Sequence, residues 1–280
     1  MTQTIALLTD FGLEDVYVGV MKAVMRGICP QATFIDITHA IQPQNIRHGA
    51  FALCNAYRYF PAGTTFLVVV DPGVGSVRRP VAVSAGGYMF VAPDNGVLAY
   101  ALAEIGAYQA VELDNVVYHL PHVSRTFHGR DIFAPVAAHL AMGVDLAAAG
   151  TPLPKLKDFP APQLTVQEDS VIGEVLHIDH FGNVITSIGT LQWVDKHKLR
   201  LSAPFGSPAK AVEFLASDVE VLLNEQTFTG VARTYSEAQP GEALITTDSN
   251  GFLEVAINQG DCAARLGTVI GDPVLLKHKG

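Results

Sequence analysis

Four short segments of the 280-residue chain carry side chains whose types and spacing suit chemistry at an open site. Asp10, in LLTDFG, stands where an apolar run stops and a loop starts. A carboxylate there can take hydrogen bonds from a ligand's hydroxyls or cap the following helix, and the residues alone leave both open. Asp71 ends the run FLVVVD and opens a turn with Pro72, Gly73 and Gly75, backbone that lets a ligand come close. Arg78 follows far enough on for the loop to fold back and aim its guanidinium at the Asp71 carboxylate. On the residues alone, an ordinary Asp–Arg loop clamp explains that pair better than catalysis does. HLPHVSRTFHGRDIFAP brings His119, His122, His128 and Asp131 close together, without the i,i+4 spacing of a helical zinc motif. A single His128 acting as acid or base in a tight turn is the more economical reading, with His119, His122 and His139 as surface or core positions. IDHFGNVITS offers Asp179, Phe181 and Asn183: a carboxylate, an aromatic face and an amide, groups that suit an ammonium, a purine plane and a purine edge. A hairpin turn at Gly-Asn accounts for the same residues.

Elements able to position these groups are legible in the hydrophobic pattern. Residues 4–8, 33–37, 65–70, 81–84 and 88–91 read as strands, and 16–28, 46–59 and 97–105 carry apolar residues at helical spacing. Such alternation predicts an α/β domain with a mainly parallel layered sheet over residues 1–155, its ligands at the carboxyl ends of the strands. TPLPKLKDFPAPQ, with four prolines, reads as a linker over 156–168. Beyond it, strand patterns at 171–178, 219–223, 243–246, 252–257 and 274–276 lack comparable helices, so a small all-β barrel or sandwich is expected over 169–280.

Hydrophobic residues at 49% and charged residues at 16% supply a packed core. A net charge of -9 with only 18 Lys and Arg argues against nucleic acid, whose affinity depends on neutralising phosphates, and suits a small cationic ligand better. No apolar run is long enough to cross a bilayer, and MTQTIALLTD lacks a basic leader region, so a cytoplasmic protein without membrane partners is expected. Cys29, Cys54 and Cys262 are scattered and odd in number, which fits reduced core thiols better than disulfides or a zinc set.

Taken in order, TDFGLEDVYVGVMKAV, DITHAIQPQNIRHGA, FPAGTTFLVVVDPGVGSVRRP, VAPDNGVLAYAL, TFHGRDIFAP, IDHFGNVITS and TTDSNGFLEVA resemble the S-adenosylmethionine hydrolase family, the SAM hydroxide adenosyltransferases, related to fluorinase and chlorinase. The resemblance implies an N-terminal α/β domain, a C-terminal β-barrel, and a homotrimer with sites between subunits. It implies hydrolysis of S-adenosyl-L-methionine to adenosine and L-methionine by an activated water, with no cofactor and no metal. By motif, Asp71, Arg78 and His128 fall on the hydrolase triad and Asp10 on the ribose hydroxyls. Similarity to the halogenases places Asp179 and Ser249 on the methionine amino and carboxylate groups, Asn183 on the adenine edge, and Phe181 and Tyr235 on its faces. Where halogenases have Tyr this chain has Asp71, where they have Tyr-Ser it has His128-Gly129, and their extra loop is missing between Arg79 and Val91. A water site in place of a halide pocket follows. The alternatives are a halide-dependent adenosyl transferase and a non-catalytic adenosine or S-adenosylmethionine binding protein; metal-dependent hydrolysis at the His119 to Asp131 cluster is disfavoured.

Overall fold

The computed structural model describes residues 3–205 and 211–278. The chain divides into two compact units, Met1–Phe159 and Pro160–Gly280.

In the first unit, strands β1 (Thr4–Thr9), β2 (Thr33–Thr38), β3 (Thr65–Val69), β4 (Pro80–Ala85), β5 (Tyr88–Pro93), β6 (Tyr108–Glu112) and β7 (Thr151–Leu153) form one sheet in the order β2-β1-β3-β5-β4-β6-β7. Its helices are α1 (Tyr17–Ile28), α2 (Ile46–Ala56), α3 (Ala99–Ile105) and α4 (Ala134–Ala141). β1 and β3 are buried along their whole length, and apolar apart from the terminal Thr4, Thr9 and Thr65, because the sheet is covered on both faces. Period-two alternation divides their side chains: Ile5, Leu7, Leu67 and Val69 pack with Met21 and Met25 of α1 and with α4, while Ala6, Leu8, Phe66 and Val68 pack with Leu53 of α2 and Leu102 of α3.

The sheet is mixed, not mainly parallel. Only β1–β2, β1–β3 and β3–β5 pair in parallel; β4–β5, β4–β6 and β6–β7 are antiparallel. The cause is local, since only Gly86 and Gly87 join β4 to β5, both at positive φ, and so short a turn can only make a hairpin. The antiparallel half has a consequence for the site. Running against β1 and β3, β4 begins at the edge where those strands end, so residues just before β4 face loops just after β1 and β3.

The second unit contains β8 (Leu164–Val166), β9 (Ser170–Ile178), β10 (Val184–Thr186), β11 (Leu191–Trp193), β12 (Lys198–Leu201), β13 (Val212–Leu215), β14 (Glu220–Leu223), β15 (Gln226–Thr229), β16 (Ala243–Thr247), β17 (Leu253–Ile257), β18 (Pro273–Lys277) and a short helix α5 (Cys262–Leu266). An antiparallel sheet runs β15-β14-β18-β9-β10-β17-β16, with β8 added on β9 and a bridge from Val231 to Ile245 drawing the two edges together. It is a nearly closed, barrel-like sheet around Val175, Val184, Val221, Val255 and Leu276. β11, β12 and β13 make a separate three-stranded sheet. β8 lies inside the proline-rich stretch 156–168. No helix among the described residues is long and apolar enough to cross a membrane.

Candidate active site

Three loops meet at the edge where the parallel strands of the first unit end. After β1, the Asp10 carboxylate accepts the backbone N–H of Gln44 at 2.7 Å, and Gln44 holds a left-handed φ of 67° to present it. Gly12 N–H bonds the His39 carbonyl at 2.8 Å, and His39 Nδ1 lies 2.8 Å from the Thr9 hydroxyl. Asp10 is thus fixed by the loop before α2 and is not a helix cap.

After β3, the chain turns through Asp71 to Ser76, with Val74 N–H on the Asp71 carbonyl and Ser76 N–H on the Gly73 carbonyl. Gly75 has φ 76°, and a Cβ there would meet the Arg125 carbonyl oxygen at 2.4 Å. Glycine at this position lets the turn lie against the segment that carries His128.

The result is a compact cluster. Arg78 Nε donates to both Asp71 carboxylate oxygens at 3.0 Å, Nη2 donates to Oδ2 at 2.5 Å, and the same Nη2 donates to His128 Nδ1 at 2.7 Å. The Asp71 and Arg78 side chains are only 5% and 9% exposed, so their attraction is weakly screened by solvent. The Phe133 ring lies beneath the guanidinium, 5.2 Å from its centre. Guanidinium has no lone pair to offer, so His128 Nδ1 must be the acceptor and the neutral ring carries its proton on Nε2. Burial first, and the Arg78 cation second, hold the His128 pKa below the ordinary histidine value. The cluster is therefore an anion, a cation and a neutral imidazole joined through the Arg78 guanidinium. Arg79, next in sequence, serves elsewhere: it pairs with Asp94, whose carboxylate also takes Lys157 N–H.

His128 leads into a π-helical turn, Gly129–Phe133, that continues into α4. Asp131 in this turn is wholly buried, paired with Arg130 at 2.6 Å and accepting Ser124 N–H at 2.7 Å, so it anchors the His128 loop. His122 is exposed, His139 lies against Tyr118, and His119 Nε2 is buried without a hydrogen bond. No group of three His, Cys, Asp or Glu side chains among the described residues is arranged to hold a metal. Phe11, Tyr17 and Phe127 join the Asp10 loop to the His128 loop, with ring centroids 5.1 to 6.0 Å apart. Leu13, Val16 and Val77, in these same loops, are strongly exposed.

In the second unit, Asp179 closes the β9–β10 connection. Its Oδ1 accepts the N–H groups of Phe181 and Asn183 at 2.8 and 2.9 Å, and its Oδ2 accepts the Asn183 side-chain amide at 2.9 Å. The Asn183 amide nitrogen must face the carboxylate, which leaves its carbonyl oxygen as the free acceptor. Asp179, Phe181, Asn183 and Tyr235 line a cavity of about 600 Å³ with Ile257, Asn258, Gln259 and Gly260. Phe181 is 73% exposed and Tyr235 40% exposed. Ser249 is exposed in the loop after β16 and does not line this cavity. Sequence reasoning missed Glu254 of β17, whose Oε1 takes the Tyr235 hydroxyl at 2.6 Å. The one available sign was a glutamate inside the apolar run FLEVAI.

A mixed α/β unit with a carboxylate–guanidinium–imidazole cluster, followed by a β unit with a cavity lined by two aromatic rings, defines a class of two-domain proteins. Residues 5–150 match the SAM hydroxide adenosyltransferase N-terminal domain and residues 173–275 match its C-terminal domain. A protein of Salinispora tropica named (R)-S-adenosyl-L-methionine hydrolase is 40% identical over 97% of this chain and 96% of its own length. A fluorinase of Actinopolyspora mzabensis is 30% identical over 92% of each. The crystal structure of an uncharacterized conserved protein from Thermotoga maritima covers 98% of this chain and all of its own, at 39% identity and a TM-score of 0.85. The chain belongs to the SAM hydroxide adenosyltransferase family.

Proposed function

We propose that this chain hydrolyses S-adenosyl-L-methionine to adenosine and L-methionine, and that Asp71, Arg78 and His128 act on the attacking water. The joint hydrogen bonding of Arg78 to Asp71 and His128 carries the reading. Attack forms the O–C5′ bond and breaks the C5′–S bond, whose electron pair passes to sulfur. The sulfonium leaves as a neutral thioether, so no general acid is needed. His128 offers its Nε2 proton to orient the water's oxygen, Arg78 stabilises hydroxide character, and Asp71, the only anion of the cluster, takes the water's proton for return to solvent. Holding the water in line with the C5′–S bond supplies roughly 7–11 kcal/mol in favourable cases, and base assistance about 10²–10⁴ in rate.

Asp10 holds the ribose hydroxyls in this reading. Phe181 and Tyr235 flank the adenine, and Asn183 turns its carbonyl oxygen to the base's amino group. Asp179 and Ser249 receive the methionine amino and carboxylate groups, which requires the Ser249 loop to approach the cavity when ligand binds. The protein acts as a cytoplasmic homotrimer with sites between subunits and needs no cofactor or metal. Exposed Leu13, Val16 and Val77 around the cluster support a covering partner copy, and the three free, buried cysteines suit a reducing compartment.

Incubation with S-adenosylmethionine, with and without halide and chelator, followed by chromatography of nucleosides, tests the reading. Adenosine formed without halide and unaffected by chelator supports it. A halogenated nucleoside, or no nucleoside at all, contradicts it.

A further inference from the structure

Glu254 is the one charged residue in β17, a strand buried at every position. β17 lies between β10 and β16, with Glu254 opposite Ile185 on one side and Thr246 on the other. Leu253, Val255 and Ile257 face the core of the barrel-like sheet; alternation turns Glu254 to the other face. There the carboxyl is 3% exposed and bonded to the Tyr235 hydroxyl. A buried ionisable group costs free energy unless it is well partnered, so its position calls for a use.

Holding the 231–238 segment in place is not that use. Its backbone is already fixed to β16 by the Ala232 N–H bond to the Ile245 carbonyl at 2.8 Å and by the Thr246 hydroxyl on the Ala232 carbonyl at 3.1 Å. What the Tyr235–Glu254 bond adds is the direction of the phenol ring. That ring is half-exposed and forms one wall of the cavity, and its hydroxyl is tied down beneath it.

We propose that Glu254 is a positioning residue of the nucleoside pocket, its buried carboxyl holding the Tyr235 hydroxyl so that the phenol ring stands ready for an aromatic base. The inference rests on assigning this cavity to the adenine of the substrate. Glu254 faces the Tyr235 phenol, the carboxylates of Asp248 and Asp179, and the Cys262 thiol. Burial pushes the Glu254 carboxyl up to about 7; the Tyr235 hydrogen bond opposes the rise and the charges of Asp248 and Asp179 add to it. A charged acceptor holds a hydroxyl more firmly than a neutral one. The wall is therefore firm above neutral pH and looser below it.

The test uses calorimetric binding of adenosine, whose base does not ionise near neutral pH, together with kcat and KM for S-adenosylmethionine. Tyr235→Phe and Glu254→Leu should each weaken adenosine binding and raise KM about 3–10-fold, with kcat changing by less than about twofold. The double variant should be no worse than either single one, because both remove the same bond. Glu254→Gln keeps an acceptor and should restore affinity to within about twofold of wild type. Wild type should bind adenosine more weakly as pH falls from about 8 to about 6, and Glu254→Gln should abolish that weakening. Additive single effects, a loss confined to kcat, or a pH dependence that persists in Glu254→Gln would each overturn the assignment. If Glu254→Leu does not fold, Tyr235→Phe and Glu254→Gln decide alone. Phe181→Ala separates the two levels. If it leaves adenosine affinity unchanged, the cavity is not the adenine site and both readings fall; if it weakens binding while Tyr235→Phe does not, only Glu254 loses its role.

Discussion

The two candidate regions solve opposite electrostatic problems. Asp71, Arg78 and His128 form a balanced set in which one carboxylate meets one guanidinium through three hydrogen bonds and the imidazole stays neutral. Around the second cavity the charge is unbalanced toward the acidic side: the charges of Asp179 and Asp248 add to the burial that raises the Glu254 pKa, and burial raises that of Asp248 as well. A balanced cluster offsets much of its desolvation cost through its own attraction and hydrogen bonds, and can hold a small neutral molecule such as water in a fixed direction. An unbalanced one stays frustrated until a cation arrives, and in the proposed reaction the ligand is a sulfonium carrying an ammonium. In that proposal the first region directs the reaction and the second draws in the substrate.

That contrast predicts different failures. Asp71→Asn and His128→Ala should each lower kcat about 10²–10⁴-fold while leaving adenosine affinity nearly intact. Arg78→Lys belongs with them, since an ammonium does not reproduce the guanidinium fork that bonds Asp71 through Nε and Nη2 and His128 through the same Nη2. Wild-type turnover in any of these, measured by adenosine release, would remove that residue from the chemistry. Phe181→Ala should instead raise KM about 5–100-fold through lost stacking, with a small effect on kcat, as read from initial rates across substrate concentration.

The smallest effect concerns stability. The folded-state value of Glu254, about 7, lies above its ordinary 4.5. Its contribution is therefore intact below about pH 4.5 and lost as pH rises through about 7. Glu254→Gln should match wild type near pH 5 and exceed it at pH 8 by roughly 1–3 kcal/mol, measured by denaturant unfolding followed through Trp193 fluorescence. Equal stability at both pH values would mean that Glu254 stays ionised throughout.

Much of the site was legible because its residues sit at transitions the hydrophobic pattern marks. Asp10 and Asp71 follow apolar runs that become β1 and β3, and the turn glycines beside Asp71 announce a close approach, which proves to be to Arg125. The parallel expectation failed where strand patterning is silent about direction: 81–84 and 88–91 look like any two strands, and only Gly86-Gly87 between them signals a hairpin. α4 escaped notice because APVAAHLA is small and apolar on all sides, so it shows no helical period. The pairing of Glu254 was not legible for another reason. Its partner Tyr235 lies on a different segment, and only the packing of that segment over β16 and β17 brings hydroxyl and carboxyl together.

Turnover of S-adenosylmethionine in ¹⁸O-labelled water without halide shows whether a water held by Asp71, Arg78 and His128 attacks C5′. One labelled oxygen is expected in the 5′-hydroxyl of adenosine, none in methionine, and labelled product should be lost in Asp71→Asn. Unlabelled adenosine, label in methionine, or undiminished labelling in Asp71→Asn would contradict that attack.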